Sequence, residues 1–228
     1  MKYKIEGDLL QTLEIKLDPG ESVYTESGGM AWMQGAVDMK TSARGGVMAS
    51  LGRKLAGESI FMTTYTAGGS GGMIVFTPEA PGKVILKELA TGESIICQKD
   101  SFMVAQSSVK LEIYFQKKLG AGLFGGEGFI LQKVTGPGAV FMEIPGDVRT
   151  YTLQANETMR VDPGHIAMFE PTISYDIEMV KGVTNVLFGG EGLFLANLRG
   201  PGTIWLQSMP ISNLARKLAK YIPMAKSN

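Results

Sequence analysis

One stretch of this chain occurs twice. Leu123–Glu143 reads LFGGEGFILQKVTGPGAVFME, and Leu187–Gln207 reads LFGGEGLFLANLRGPGTIWLQ. The two align without a gap, and the late differences keep their character: Val140 against Ile204, Phe141 against Trp205, Met142 against Leu206. A match of that length within one chain marks an internal duplication. A weaker third copy lies upstream. LAGESIFMTTYT from Leu55 matches FGGEGFILQKVT from Phe124, and AGGSGGMIVFT follows it, read here as a longer glycine connection into a similar strand. The likeness continues on the N-terminal side. LEIKLDPGESVYTE from Leu13 resembles ETMRVDPGHIAMFE from Glu157, and the middle copy has SIICQKDSFMVAQ there. Each copy then reads strand, turn, strand, variable connection, GGEG-like turn, strand, GPG turn, strand. The 228 residues divided by three give 76 per unit. The expected organisation is one domain of three repeats, at about 1–90, 91–154 and 155–212, with a helix over 213–228.

The repeated strands alternate with period two. Phe194, Ala196 and Leu198 fall on one face, with Asn197 and Arg199 on the other. Ile130, Gln132 and Val134 alternate with Lys133 and Thr135, and Phe61, Thr63 and Tyr65 with Met62, Thr64 and Thr66. β-Branched and aromatic residues are frequent, and Gly or Pro punctuates at short intervals. Many short strands between regular turns predict an all-β sandwich or barrel-like fold. Helix is expected in the tail SNLARKLAKYI, where Ser212 can cap and Pro223 stops the run. A turn or two is expected in MASLGRKLAG from Met48.

Composition narrows the function classes. Lys plus Arg equals Asp plus Glu, so the net charge is zero. Nucleic-acid binders usually carry a basic excess, because phosphate neutralisation supplies much of their affinity. Neither Trp32 nor Trp205 sits among basic residues in the sequence as a stacking platform would. The single cysteine, Cys97, can form no intramolecular disulfide and is expected as a small buried apolar residue. MKYKIEGD at the N-terminus lacks the apolar core of a secretory signal, and no stretch is long and apolar enough to span a bilayer, so the expected compartment is the cytoplasm.

Few residues suggest chemistry. The GGEG turns lack the lysine of a phosphate-binding loop and lead into apolar strand residues. Gly126, Gly128, Gly190 and Gly192 therefore read as turn glycines that supply positive φ or a bulge. Glu58, Glu127 and Glu191 hold one equivalent place in the three copies. They either cap their own turns or converge on a pseudo-threefold axis, where carboxylates repel unless they hold a cation or accept N–H bonds. His165 is the only histidine and is expected at the surface, with Glu21 and Phe102 as its counterparts. No nucleophile motif points to it. GGSGG at Gly68 lacks the strand–elbow–helix context and reads as a loop. No catalytic, cofactor or metal site is assigned. Met62, Met73, Met103, Met142 and Met168 are read as adaptable core packing.

LDPGESVYTESGGMAWM, LAGESIF and LFGGEGLFLANLRGPGTIWLQS together resemble a bacterial and archaeal family. That family is related to the mitochondrial-biogenesis protein named for altered inheritance of mitochondria. The resemblance covers Met1 to about Pro210. It implies a TRAP-like double-stranded β-helix or sandwich, like the tryptophan RNA-binding attenuation protein, with three such units fused in one chain. It also implies a family whose bacterial members have no established activity and whose mitochondrial relative is linked to inner-membrane organisation. The functional expectation is a non-enzymatic scaffold or interaction protein, a homo-oligomer with a trimer among the candidate forms. The tail helix is expected to lie on the body or on a neighbouring subunit, and the apolar loops before the GGEG turns to be buried in the fold or in an interface; for both, peripheral membrane contact is the sharper alternative. The alternative is a TRAP-like module binding a small ligand or RNA.

Overall fold

Apolar alternation builds the first sheet directly. In Thr12–Leu17 the side chains of Leu13, Ile15 and Leu17 are buried while Lys16 faces water. The computed structural model describes residues 1–26, 29–43, 61–117, 128–179, 194–219 and 221. Its strands run β1 (Lys2–Glu6), β2 (Thr12–Leu17), β3 (Ser22–Glu26), β4 (Met30–Ala43) and β5 (Phe61–Phe76). Next come β6 (Gly82–Leu89), β7 (Ser94–Gln98), β8 (Phe102–Gln106), β9 (Lys110–Lys117), β10 (Phe129–Thr135) and β11 (Gly138–Pro145). The last set is β12 (Val148–Leu153), β13 (Thr158–Val161), β14 (Ile166–Phe169), β15 (Ser174–Met179), β16 (Phe194–Arg199) and β17 (Gly202–Gln207), followed by helix α1 (Ile211–Ala219). The fold is an all-β sandwich of antiparallel sheets with a short C-terminal helix.

Pairing in residues 82–145 recurs strand for strand in 148–207. β6 pairs β11 as β12 pairs β17, with Leu89 opposite Gly138 and Leu153 opposite Gly202. β10 lies between β7 and β9 as β16 lies between β13 and β15. β8 pairs β11 as β14 pairs β17, and both pairs carry a register shift at the same place. The N-terminal third follows the same plan with longer strands. β2 and β3 pair successive halves of β5, while β4 pairs along its length. Ser22, Ser94 and Thr158 face Thr66, Thr135 and Arg199. Two further pairings join these sets: β3 with β8, and β7 with β14. The sheets therefore run β1-β2-β5-β3-β8-β11-β6 with β4 on β5, then β12-β17-β14-β7-β10-β9, then β13-β16-β15.

Among the described residues three apolar clusters fill the interior. One surrounds Leu13, Ile15, Ile74, Phe76 and Phe141. A second joins Ile95, Cys97, Met142 and Met168 where β7 meets β14. The third gathers Phe129, Leu131, Phe169 and Ile204. Met62, Met103, Met142 and Met168 are buried in this packing, and Met73 is half-buried. The expected alternation holds in β16, but Phe129 to Gln132 of β10 is buried on both faces.

Some local expectations differ from the structure. The glycine run Gly68–Gly72 is no loop, for it lies inside β5. Its small residues let two strands approach closely: a Cβ on Gly72 would lie 2.3 Å from Val37 Cγ2. The predicted helix over 213–228 begins earlier, at Ile211, and its described part ends at Ala219. Pro210 and Gly164 lie beside its first turn, and the Asn213 and Leu214 N–H groups bond the Pro210 carbonyl. His165 is half-buried rather than a surface side chain, its Nδ1 2.8 Å from the Gln207 carbonyl oxygen. Trp205, without basic neighbours in sequence, has Lys87 Nζ 3.7 Å above its ring. The stretch from Met48 lies outside the described residues.

Candidate functional site

Glu143 sits near the end of β11, in a strand that is buried on both faces. It is 7% exposed. Its Oε2 accepts from the Glu79 N–H at 2.7 Å. Burial pushes its carboxyl up to about 8, with the Glu79 N–H pulling the other way and the Glu79 and Asp100 charges adding to the rise. Around it lies a cavity of about 240 Å³, lined by Thr25, Glu26, Glu79, Lys99 and Asp100. Glu26 ends β3 and accepts from Gln132 Nε2 at 2.6 Å. Thr25 Oγ1 donates to the Met103 carbonyl at 2.6 Å, across the β3–β8 junction. The short 3₁₀ turn Lys99–Ser101 presents Lys99 and Asp100.

Gln207 holds in β17 the place that Glu143 holds in β11. Its Nε2 donates to the Gly164 carbonyl at 2.7 Å and lies 3.4 Å from Gln98 Oε1, while Gln98 Nε2 donates to Asp100 Oδ2 at 3.2 Å. A second cavity, about 270 Å³, opens here between Gln98, Asp100, Gly128 and Gln207, with Ile211 and Ala215 of α1 at its rim. Both cavities lie where one strand set meets the next. They offer carboxyl and amide groups. The Cys97 thiol is fully buried, and burial raises its pKa above the ordinary thiol range, so it stays neutral.

Of the residues singled out from sequence, Gly128 is described: it has φ +88° and leads into buried Phe129, as a turn glycine should. Glu58, Glu127, Glu191, Gly126, Gly190 and Gly192 lie outside the described residues. A different set of three glutamates recurs instead. Glu21, Glu93 and Glu157 each accept, through Oε2 at 2.9 Å, from the N–H three residues earlier, on Asp18, Ala90 and Gln154. Each follows a residue with positive φ, namely Gly20, Gly92 and Asn156. The carboxylate closes the turn between two strands. The N-terminal ammonium and the Asp18 N–H hold the Glu21 carboxyl below its ordinary value. The DPG of residues 18–20 therefore corresponds to ATG at 90–92 and QAN at 154–156 in the other sets. The DPG before His165 is instead the start of a 3₁₀ turn, Pro163–His165, matching Lys99–Ser101. Sequence reasoning missed Glu143. Its one signal is a carboxylate in the apolar run AVFMEIP, opposite Gln207 in the duplicate.

A second feature is β4. Among the described residues it pairs with β5 alone. Trp32 and Met33 on it are 52% and 43% exposed. α1 is also largely exposed, Leu218 included.

Comparison with known proteins places these features in context. The chain is 29% identical over 237 residues to an uncharacterized protein of Streptococcus pyogenes serotype M6, covering all of this chain and 93% of that one. It superposes on the crystal structure of a Streptococcus pyogenes protein with a TM-score of 0.79 at 25% identity, covering 97% of this chain and 99% of the other. The family described as Mitochondrial biogenesis AIM24 matches residues 3–209. With residues 3–209, nearly its whole length, matched, the chain belongs to the AIM24 family.

Proposed function

We propose that this protein is a non-enzymatic interaction protein, built as three fused copies of one β unit, that assembles with copies of itself and acts as a scaffold. The unit reading rests on pairing that recurs in residues 82–145 and 148–207 and, with longer strands, in 12–76. The observation that carries the assembly reading is β4. A long strand that among the described residues is paired on one side, with tryptophan and methionine open to water, is a surface that natural proteins otherwise blunt or cover. The recurring glutamates support the non-enzymatic reading, since they close turns. Sedimentation velocity and native mass of the purified chain test it. An integral multiple of 24.5 kDa is expected, with a trimer the favoured form. A monomer at tens of micromolar would refute it.

A second reading, contact with a membrane surface, is favoured by α1. Among the described residues no helix is long enough to cross a bilayer. α1 instead carries Arg216 and Lys217 beside exposed Leu218, the pattern of an interfacial helix. The Glu143 cavity favours the small-ligand alternative, and a ligand there would be small and polar.

A further inference from the structure

We propose that β4 of one copy pairs with the free edge of β13 in the next, continuing between chains the junction that joins β3 to β8 and β7 to β14 within the chain. The inference deepens the assembly reading and rests on it. Both internal junctions share one register. Tyr24 faces Ala105 at the first, and Ile96 faces Phe169 at the second. The corresponding residue of the third set is Arg160 on β13, because Ser22, Ser94 and Thr158 share one position. The residue of the first set that matches Ala105 and Phe169 is Met33, since each sits opposite the third residue of its matching segment: Ile74, Val140 and Ile204. Carried one step further, the register places Arg160 against Met33 and Val161 against Trp32 of another copy. Among the described residues β13 pairs with β16 alone, so its second edge is open.

Burial agrees with this. Val104, Ala105, Met168 and Phe169, which the internal junctions cover, are each 0% exposed, whereas their counterparts Trp32 and Met33 are 52% and 43% exposed. The irregularity in the strand is shared as well: Ala31, Met103 and Ala167 are each skipped by a register shift, so all three strands bend alike. A receiving surface also exists. At the second junction Met168 packs with Ile95, Cys97 and Met142. The matching positions on the third set are Met159, Val161 and Leu206, and with Tyr151 they line an open groove of about 460 Å³. Trp32 is the side chain that would enter it.

The links between strand sets repeat the message. Gly82 N–H bonds the Leu9 carbonyl at 2.8 Å, Gly146 N–H the Pro81 carbonyl at 2.8 Å, and Met209 N–H the Pro145 carbonyl at 3.3 Å. Leu9 and Leu10 form the first step of this stair and are 59% and 73% exposed. The same head-to-tail step sets them beside Met209 of the neighbour. Such an interface is heterologous, joining two different surfaces, so it closes into a ring or grows.

The test is a cysteine pair in the full chain, Met33→Cys with Arg160→Cys. Both positions are exposed, and native Cys97 is buried and inert. Facing strand residues lie within disulfide reach. On mild oxidation the double variant should form a ladder of reducible dimers and higher species, and neither single variant should. A second pair, Gln34→Cys with Met159→Cys, follows the same register and should do the same. Trp32→Arg in the native background should lower the native mass to that of one chain. If the native chain is monomeric, both this inference and the assembly reading fall. If it is oligomeric but neither pair cross-links, or Met33→Cys alone does so, the assembly reading stands and the β4–β13 pairing is wrong.

Discussion

Replacing Glu143 by glutamine should change how stability depends on pH, and the structure sets the size. The carboxyl titrates near 8 in the folded protein against an ordinary 4.5. Below pH 4.5 both folded and unfolded chains hold the proton, and stability is at its fullest. As pH rises from 4.5 towards 8 the unfolded chain releases a proton that the folded chain keeps. The unfolded state then gains about 1.36 kcal/mol per pH unit. Across the window the loss is at most about 5 kcal/mol, a large share of the stability of a typical domain. Above pH 8 both states are ionised and the loss is complete. Glutamine keeps an acceptor for the Glu79 N–H but has no proton to lose. Glu143→Gln should match the native protein at pH 4.5 and outlast it increasingly up to pH 8.5, by a melting temperature on the order of 10 °C. Thermal unfolding of the two proteins at half-unit pH steps reads the difference directly, and other titrating groups cancel. Parallel profiles between pH 5 and 8.5 would refute the assignment of a buried, neutral carboxyl.

Three further outcomes are expected. Gly200→Ala places a Cβ 2.4 Å from the Gln154 carbonyl oxygen, and Gly136→Ala one 2.5 Å from that of Ala90; each should cost more than ~2 kcal/mol in urea unfolding. Glu93→Ala removes a carboxylate that closes one turn and should cost about 1–2 kcal/mol, while Glu93→Gln should recover part of it. Removing residues 211–228 should abolish co-sedimentation with anionic vesicles; a chain that never sediments with them would rule out the membrane reading.

The sandwich was legible because its strands obey simple alternation and its turns carry Gly and Pro. LEIKL and FLANLR state their buried faces residue by residue. The duplicated stretch also located the β10–β11 and β16–β17 corners. Legibility failed where three-dimensional context overrides a local string. DPG at residues 18–20 and at 162–164 looks the same, yet the first turns the chain between β2 and β3 with Gly20 at φ +82° and the second starts a 3₁₀ turn. AGGSGG looks like a linker but is strand, because the partner strand at Gly35–Val37 approaches too closely for side chains. Glu143 was hidden because β11 is covered on both faces, so alternation gives no warning of a carboxylate in the interior.

The pairing of β6 with β11 also has a temporal side. It joins Gly82 to Pro145 and Leu89 to Gly138, the first and last strands of their set, just as β12 and β17 join Val148 to Gln207. A ribosome delivers these strands in order, so β6 waits for most of its set to be synthesised before its partner emerges. Contacts of such sequence separation form slowly. The nascent chain must therefore mature in instalments of roughly 60 residues, each completed only when its closing strand leaves the exit tunnel. A pause that holds Gly138–Pro145 or Gly202–Gln207 inside the tunnel would leave an unclosed edge exposed to aggregation, while one that comes after the closing strand has emerged would not.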